Sequence, residues 1–360
     1  MKKLCCLCLA LLCLTGCTTT KEGLLTAEIT RNDIAPVEIV AENSQAEEIM
    51  QFSLDVFSAQ VEQENLLISP LSITYALAMT ANGAQGETLA QMEQAFGTDI
   101  ASLNEYLYAY QVNLPEGEQY QVNLANSIWL KDSVGLRVQE EFLQTNVDYY
   151  DAQVFQTPFD DTLAKQINTW VSQQTDGMIE QMIDDVSDDA VLYLINALSF
   201  DAQWETVYQS SAVRTDTFTN YDGTTTQTEM MYGTEYSYFT MENAVGFKKS
   251  YEDERYSFVA ILPEEGMDII TFVEEELDGE LLCAALQNTS TDTVLTAIPK
   301  FSVEYEASFV DTLISLGIED AFDASLADFS KMATSGTGAL FIEEVIHKTE
   351  LVVDEEGTQA

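Results

Sequence analysis

Apolar positions along this chain alternate between two periods. Ile49, Phe52, Val56 and Phe57 recur at helical spacing and predict an amphipathic helix within Gln45 to Glu64. Asn65-Leu66-Leu67-Ile68 reads as a strand that leads into Ser69 and Pro70. Serine is a preferred N-cap and proline is pre-set for a first helical turn. A second helix is therefore predicted from Pro70 to about Ala81, closed by Asn82-Gly83. Ile167 to Val171 lies on a further helix that Gly177 ends. Val191 to Phe200 is a continuous apolar run, as a strand covered on both faces would be. Asn196 within it needs hydrogen-bond partners. Tyr256 to Leu262 reads as a strand that turns at Pro263. From Ile298 a strand begins in which Phe301, Val303 and Tyr305 alternate. Phe309, Leu313 and Leu316 then share a helix face capped by Gly317.

Leu351 to Val353 is a short β-branched run of the kind found in buried strands. Asp354-Glu355-Glu356 follows, then Gly357, Thr358, Gln359 and Ala360. In extended chain Thr358 and Ala360 share one face and Gln359 takes the other. Small neutral residues let such a face enter an interior at low desolvation cost. Read alone, the segment is a flexible acidic terminus; a packed strand is the alternative.

Composition narrows the functional classes. The chain has 360 residues, 46% of them apolar, enough for one large domain or two average ones. Against 61 Asp and Glu stand 14 Lys and Arg, a net charge of −47. Nucleic-acid binding needs a basic footprint and is excluded on this balance. The acidity suits a cationic partner or adaptation to the medium, and the second reading is preferred. Met1-Lys2-Lys3 and the apolar Leu4 to Leu14 form a segment too short for a membrane span. Leu14-Thr15-Gly16-Cys17 resembles the lipobox of bacterial lipoproteins, which implies cleavage before Cys17 and lipidation of its thiol. Cys5, Cys6, Cys8 and Cys13 would leave with the signal, so Cys283 alone would remain as a free thiol. No disulfide is then possible, and no Cys/His zinc site, since His347 is the only histidine. No cofactor or metal is expected. The expected layout is a signal and lipobox at 1–17, a tether at 18–44 and a single domain at 45–360.

Several longer motifs point to one family. Asn65-x-x-x-Ser69-Pro70-x-Ser72-Ile73 with Gly83-Ala84 and Gly86-Glu87-Thr88 resembles the second-helix signature of the serpins. Asn126-Ser127-Ile128-Trp129-Leu130 is similar to their first long central strand. Asn196-Ala197-Leu198-Ser199-Phe200 with Trp204 resembles a second, although Asp201-Ala202 stands where Lys-Gly is common. Thr175-Asp176-Gly177-Met178-Ile179, Leu316-Gly317-Ile318 and Ala327-Asp328-Phe329-Ser330 add further matches. The resemblance runs in order from about Gln45 to Ala360.

It implies an α+β fold with helices around a large central mixed sheet plus smaller sheets. It also implies roles. Glu355, Glu356, Gly357, Thr358, Gln359 and Ala360 map onto the hinge of the reactive-centre loop. Ser69, Ser72, Asn196 and His347 map onto a buried hydrogen-bonded cluster, the shutter, below the opening central strands. Lys300, Glu355 and Trp204 map onto the breach at the top of the sheet, with Lys300 and Glu355 expected to pair. The implied function is inhibition of a serine protease, or less readily a cysteine protease, by covalent trapping and loop insertion. The alternatives are a non-inhibitory serpin used for binding or storage and an inactive truncated product. The sequence is expected to stop inside the hinge, before the scissile bond and the C-terminal strands. The full-length protein is expected to be a monomer outside the cytoplasm, lipid-anchored to a bacterial membrane or secreted. An enzyme is the weaker class: His347 sits among apolar residues, no Gly-x-Ser-x-Gly elbow exists, and Gly83-Ala84-Gln85-Gly86 lacks the lysine of a phosphate loop.

Overall fold

One six-stranded sheet organises the chain. The computed structural model describes residues 23–39, 44–114, 120–133, 135–187, 190–252, 255–336 and 340–360. The signal segment and Cys17 lie outside the described residues. The strands are β1 (Tyr120–Lys131), β2 (Arg137–Val138), β3 (Gln153–Thr157), β4 (Leu192–Gln203), β5 (Val213–Thr219), β6 (Thr225–Glu235) and β7 (Tyr238–Met241). They continue with β8 (Ala244–Ser250), β9 (Ser257–Pro263), β10 (Val294–Pro299), β11 (Phe301–Ser308), β12 (Ala333–Thr334), β13 (Ile346–Val353) and β14 (Gly357–Gln359). The large sheet runs β11-β13-β14-β4-β1-β3, and the smaller ones β10-β6-β5, β7-β8-β9 and β12-β2. β1 pairs with β3 in parallel, while its pairing with β4 is antiparallel, so the sheet is mixed.

The helices are α1 (Ser44–Ser58), α2 (Pro70–Ala81), α3 (Gly86–Phe96), α4 (Ile100–Val112), α5 (Glu140–Tyr150) and α6 (Leu163–Gln174). Shorter ones are α7 (Ile269–Thr271), α8 (Gly279–Gln287) and α9 (Val310–Ser315). The α+β architecture expected from the sequence is the one observed. Period two along β1 explains the two cores. Ile128 and Leu130 enter one with α2, α5 and Phe309, while Trp129 enters the other with Phe155, Ile167 and Trp170. α2 is buried from Ser72 to Ala81, so it is apolar all round rather than along one stripe.

Three local expectations are corrected. Asn82 closes α2 with right-handed backbone (φ −61°), not a left-handed cap. Gly83 is needed instead for close approach, since a Cβ there would lie 2.5 Å from the Met332 Cβ. The strand read from Ile298 to Tyr305 breaks at Lys300, and its halves β10 and β11 belong to different sheets. The expected tether at 18–44 is, over residues 23–34, a docked segment. Gly23 and Leu25 hydrogen-bond to Gln156 and Val154 on the outer edge of β3, both at 2.8 Å. Asn32 donates to the Asp148 carboxylate from backbone and side chain, both at 2.7 Å. An open strand edge accepts any chain that satisfies its backbone groups, so no side-chain period announces the docking.

Candidate functional site where two central strands part

Strand β14 lies between β13 and β4 only near one end of the sheet. Its register sets Thr358 opposite Val353 and Ala202, and Gln359 opposite Val352 and Asp201. Ala360 adds a reciprocal pair of bonds with Phe200, each 2.7 Å. Past Ala360, β4 and β13 flank a cleft of about 1150 Å³. Leu198, Asn196, Thr349 and Leu351 line it along the strands, and Ser69, Ser72 and His347 line its far end.

The seat of β14 is built from several distant segments. Asp354 Oδ1 accepts from the amides of Glu356 (2.8 Å) and Gly357 (3.2 Å), which turns the chain from β13 into β14. The amides of Trp204 and Tyr208 donate to the carbonyls of Glu356 and Glu355 at 2.9 and 3.0 Å. Trp204 Nε1 donates to the Asp354 carbonyl at 2.8 Å. Gly357 is required by contact: a Cβ would stand 2.1 Å from the Ala202 carbonyl oxygen. Thr358 is buried, and its Oγ1 receives the Tyr251 hydroxyl at 2.7 Å. The Tyr251 ring stacks on Trp204 at 4.7 Å, and burial pushes its hydroxyl up to about 12, so it remains a neutral donor. Gln359 faces out and reaches Asp201. Lys300 Nζ lies 2.5 Å from Glu355 Oε2 and 3.8 Å from Glu229 Oε2. That hydrogen bond raises the lysine and lowers the carboxyl.

The four residues assigned to the shutter divide into two groups. Ser69 N donates to His347 Nε2 at 2.9 Å, and the Ser69 and Ser72 hydroxyls meet at 2.9 Å. His347 is 6% exposed, and burial lowers it to about 4. It is therefore neutral, with its proton on Nδ1 because Nε2 accepts. Asn196 bonds none of these three. Its Nδ2 donates to Asn126 Oδ1 at 2.7 Å, and Asn126 donates to the Tyr150 carbonyl at 2.9 Å. The register explains the split, since Asn126 and Asn196 face each other directly across β1 and β4. Asn126 and Tyr251 are the residues that sequence reasoning missed. Asn126, a polar residue opening an apolar strand motif, carried the available signal. No serine in this group is activated as a nucleophile, because the histidine nitrogen faces a backbone amide and the Ser69 hydroxyl faces Ser72.

A family model described as serpin (serine protease inhibitor) matches residues 47–360. The chain belongs to the serpin family. The native-state crystal structure of tengpin, a thermophilic serpin, superposes with a TM-score of 0.88 at 42% identity, covering 93% of this chain and 86% of that one. A serpin-like protein of Thermococcus kodakarensis is 30% identical over 320 residues, 87% of this chain and 73% of its own length. The leukocyte elastase inhibitor of Bos taurus is 30% identical over 327 residues, 86% and 85% of the two chains. Serpins are a family of protease inhibitors rather than of catalysts. The seated β14 falls within residues 355–360, the segment that the resemblance assigned to the hinge, and the cleft lies on the line a longer β14 would follow between β4 and β13.

Proposed function

We propose that this serpin inhibits a serine protease by loop insertion. The protease attacks a peptide bond beyond the hinge, and its serine becomes esterified to the loop while the amine product leaves. The loop then extends β14 down the cleft, drawing the acylated protease with it. Each inserted residue gains backbone bonds to the flanking strands, each worth about 1 kcal/mol. The carrying observation is the seated strand Gly357–Gln359 with buried Thr358, in line with an open cleft between two strands that do not pair there. A charged residue could not take the place of Thr358 without a large desolvation cost.

The test is a chimera in which the reactive loop and following strands of bovine leukocyte elastase inhibitor are joined after Ala360. With leukocyte elastase it should form a complex that survives denaturing electrophoresis, and Thr358→Arg should be cleaved without forming one. If the chimera and its Thr358→Arg variant are both merely cleaved, the inhibitory reading fails.

The same reading has the serpin act as a monomer outside the cytoplasm of a bacterium, held to the membrane through lipid on Cys17. Leu14-Thr15-Gly16-Cys17 behind a basic start and an apolar core supports it. In a bacterial host, labelled palmitate should enter the parent and not Cys17→Ala. Equal labelling of both would remove the anchor.

A further inference from the structure

Beneath the hinge seat lies a charged pair that loop insertion does not account for. Lys249, on β8, is 5% exposed. Its Nζ is 3.1 Å from Glu235 Oε1 on β6 and donates to the Thr206 carbonyl at 3.0 Å. The same ammonium stands 4.6 Å from the ring centre of Tyr208 and 5.5 Å from that of Trp204. Thr206 falls between Trp204 and Tyr208, the two residues whose amides hold the Glu356 and Glu355 carbonyls of the hinge. Backbone bonds tie this segment to the β8 side at Gln203 (to Glu252) and Glu205 (to Ser250). Past Glu205, among the described residues, the Lys249–Thr206 bond is the direct tie to β8.

The pair is an odd use of a cation. Only 14 Lys and Arg serve 61 acids, and a lysine in solvent would find an acidic neighbour without being buried. A buried ion pair is often no more stable than apolar residues of the same size. Stability alone therefore gives no reason for this one, whereas direction does. A lysine ammonium can donate to an acid and a carbonyl while its charge lies near two aromatic rings. We propose that Lys249, oriented by Glu235, is a positioning residue for hinge insertion. It fixes Thr206 and the Tyr208 ring so that the amides on either side point at the hinge carbonyls. Its relevance to inhibition rests on the loop-insertion reading; its effect on the seat does not.

The test is hydrogen–deuterium exchange on the 360-residue chain, read by mass spectrometry. In K249M/E235M the charges leave together and the pocket stays filled. Melting should remain near that of the parent, while amides of Phe200–Tyr208 and of 354–360 exchange about tenfold faster, as loss of one charge-assisted hydrogen bond implies. K249R keeps donors for both partners and should retain parent rates. Unchanged exchange at the seat in K249M/E235M, or equal acceleration across β1 and β3, overturns the proposal. K249Q, uncharged and one bond shorter than lysine, removes the charge-assisted contacts and serves with the same expectations if the double variant does not fold. Failure of both to fold also overturns it, since a positioning residue leaves the fold intact. In the elastase chimera, K249M/E235M should shift turnover from trapping towards cleavage. Normal trapping by that variant despite faster exchange would refute the coupling. Absence of trapping in the parent chimera would refute the inhibitory reading and leave the exchange result standing.

Discussion

Protonating His347 is expected to weaken the fold. An unfolded histidine titrates near pH 6.5, and burial holds this one at about 4. Between those values the unfolded chain binds a proton that the folded chain refuses, so stability falls as pH falls through the window. The contribution is intact above pH 6.5 and fully lost below about pH 4. At 1.36 kcal/mol for each pH unit, the loss is about 2 kcal/mol at about pH 5 and about 3 kcal/mol once complete. Geometry gives the same sign. Nε2 accepts the Ser69 amide, and an imidazolium would set one N–H against another. The negative charge of the chain favours imidazolium and burial opposes it, so a value below 6.5 means that burial prevails. Urea unfolding of the parent and of His347→Gln, at about pH 7 and about pH 5, isolates the effect from the many carboxylates. Gln keeps an acceptor for Ser69 and does not titrate, so the parent should lose about 2 kcal/mol more than the variant. With a single histidine in the chain, one imidazole resonance reports the pKa directly. A pKa at or above 6.5, or equal acid sensitivity of the two proteins, would refute the reasoning.

Gly357→Ala places a methyl 2.1 Å from the Ala202 carbonyl and should unseat β14; amide exchange at Phe200 and Ala360 should rise while β1 is unaffected. Asn126→Ala strands both Asn196 Nδ2 and the Tyr150 carbonyl and should cost about 1–3 kcal/mol in chemical denaturation. A double-mutant cycle with Lys300→Met and Glu355→Gln should give a coupling below about 1 kcal/mol that shrinks in high salt, because both side chains are part-exposed. A coupling of several kcal/mol would show that this pair is far less screened than its exposure implies.

The sequence made the local parts of this molecule legible. Ser69 and Pro70 start α2 at the predicted position, because capping and proline chemistry act within one turn. The alternation of Phe301, Val303 and Tyr305 marks β11, because side chains along a strand return to the same face every second residue. What escaped is pairing across distance. Asn126 meets Asn196 across 70 residues and Tyr251 meets Thr358 across 107, and nothing local to either partner encodes the other. Nothing in the sequence marks Lys249 as buried, since a buried ion pair leaves no periodic trace. Lys300 hid a crossover between sheets because β10 and β11 are both extended and nearly contiguous. The division of the shutter follows from register, which a motif cannot supply.

The docking of residues 23–34 on β3 and α5 also bears on how the molecule would stand above a bilayer. If Cys17 carries lipid, six residue steps separate the anchor from Gly23, which is fixed to the sheet edge. A fully extended chain covers about 3.5 Å per residue, so Gly23 can rise no more than about 20 Å above the headgroups. Such a leash would not let a domain this size tumble freely; it would turn the β3 edge towards the lipid and β11, at the opposite edge, away from it. The net negative charge of the chain would push the body off an anionic surface over a screening length of about 8 Å, well within the reach of the leash. Ionic strength would then tune the standoff, and with it the tilt at which the cleft faces an approaching protein.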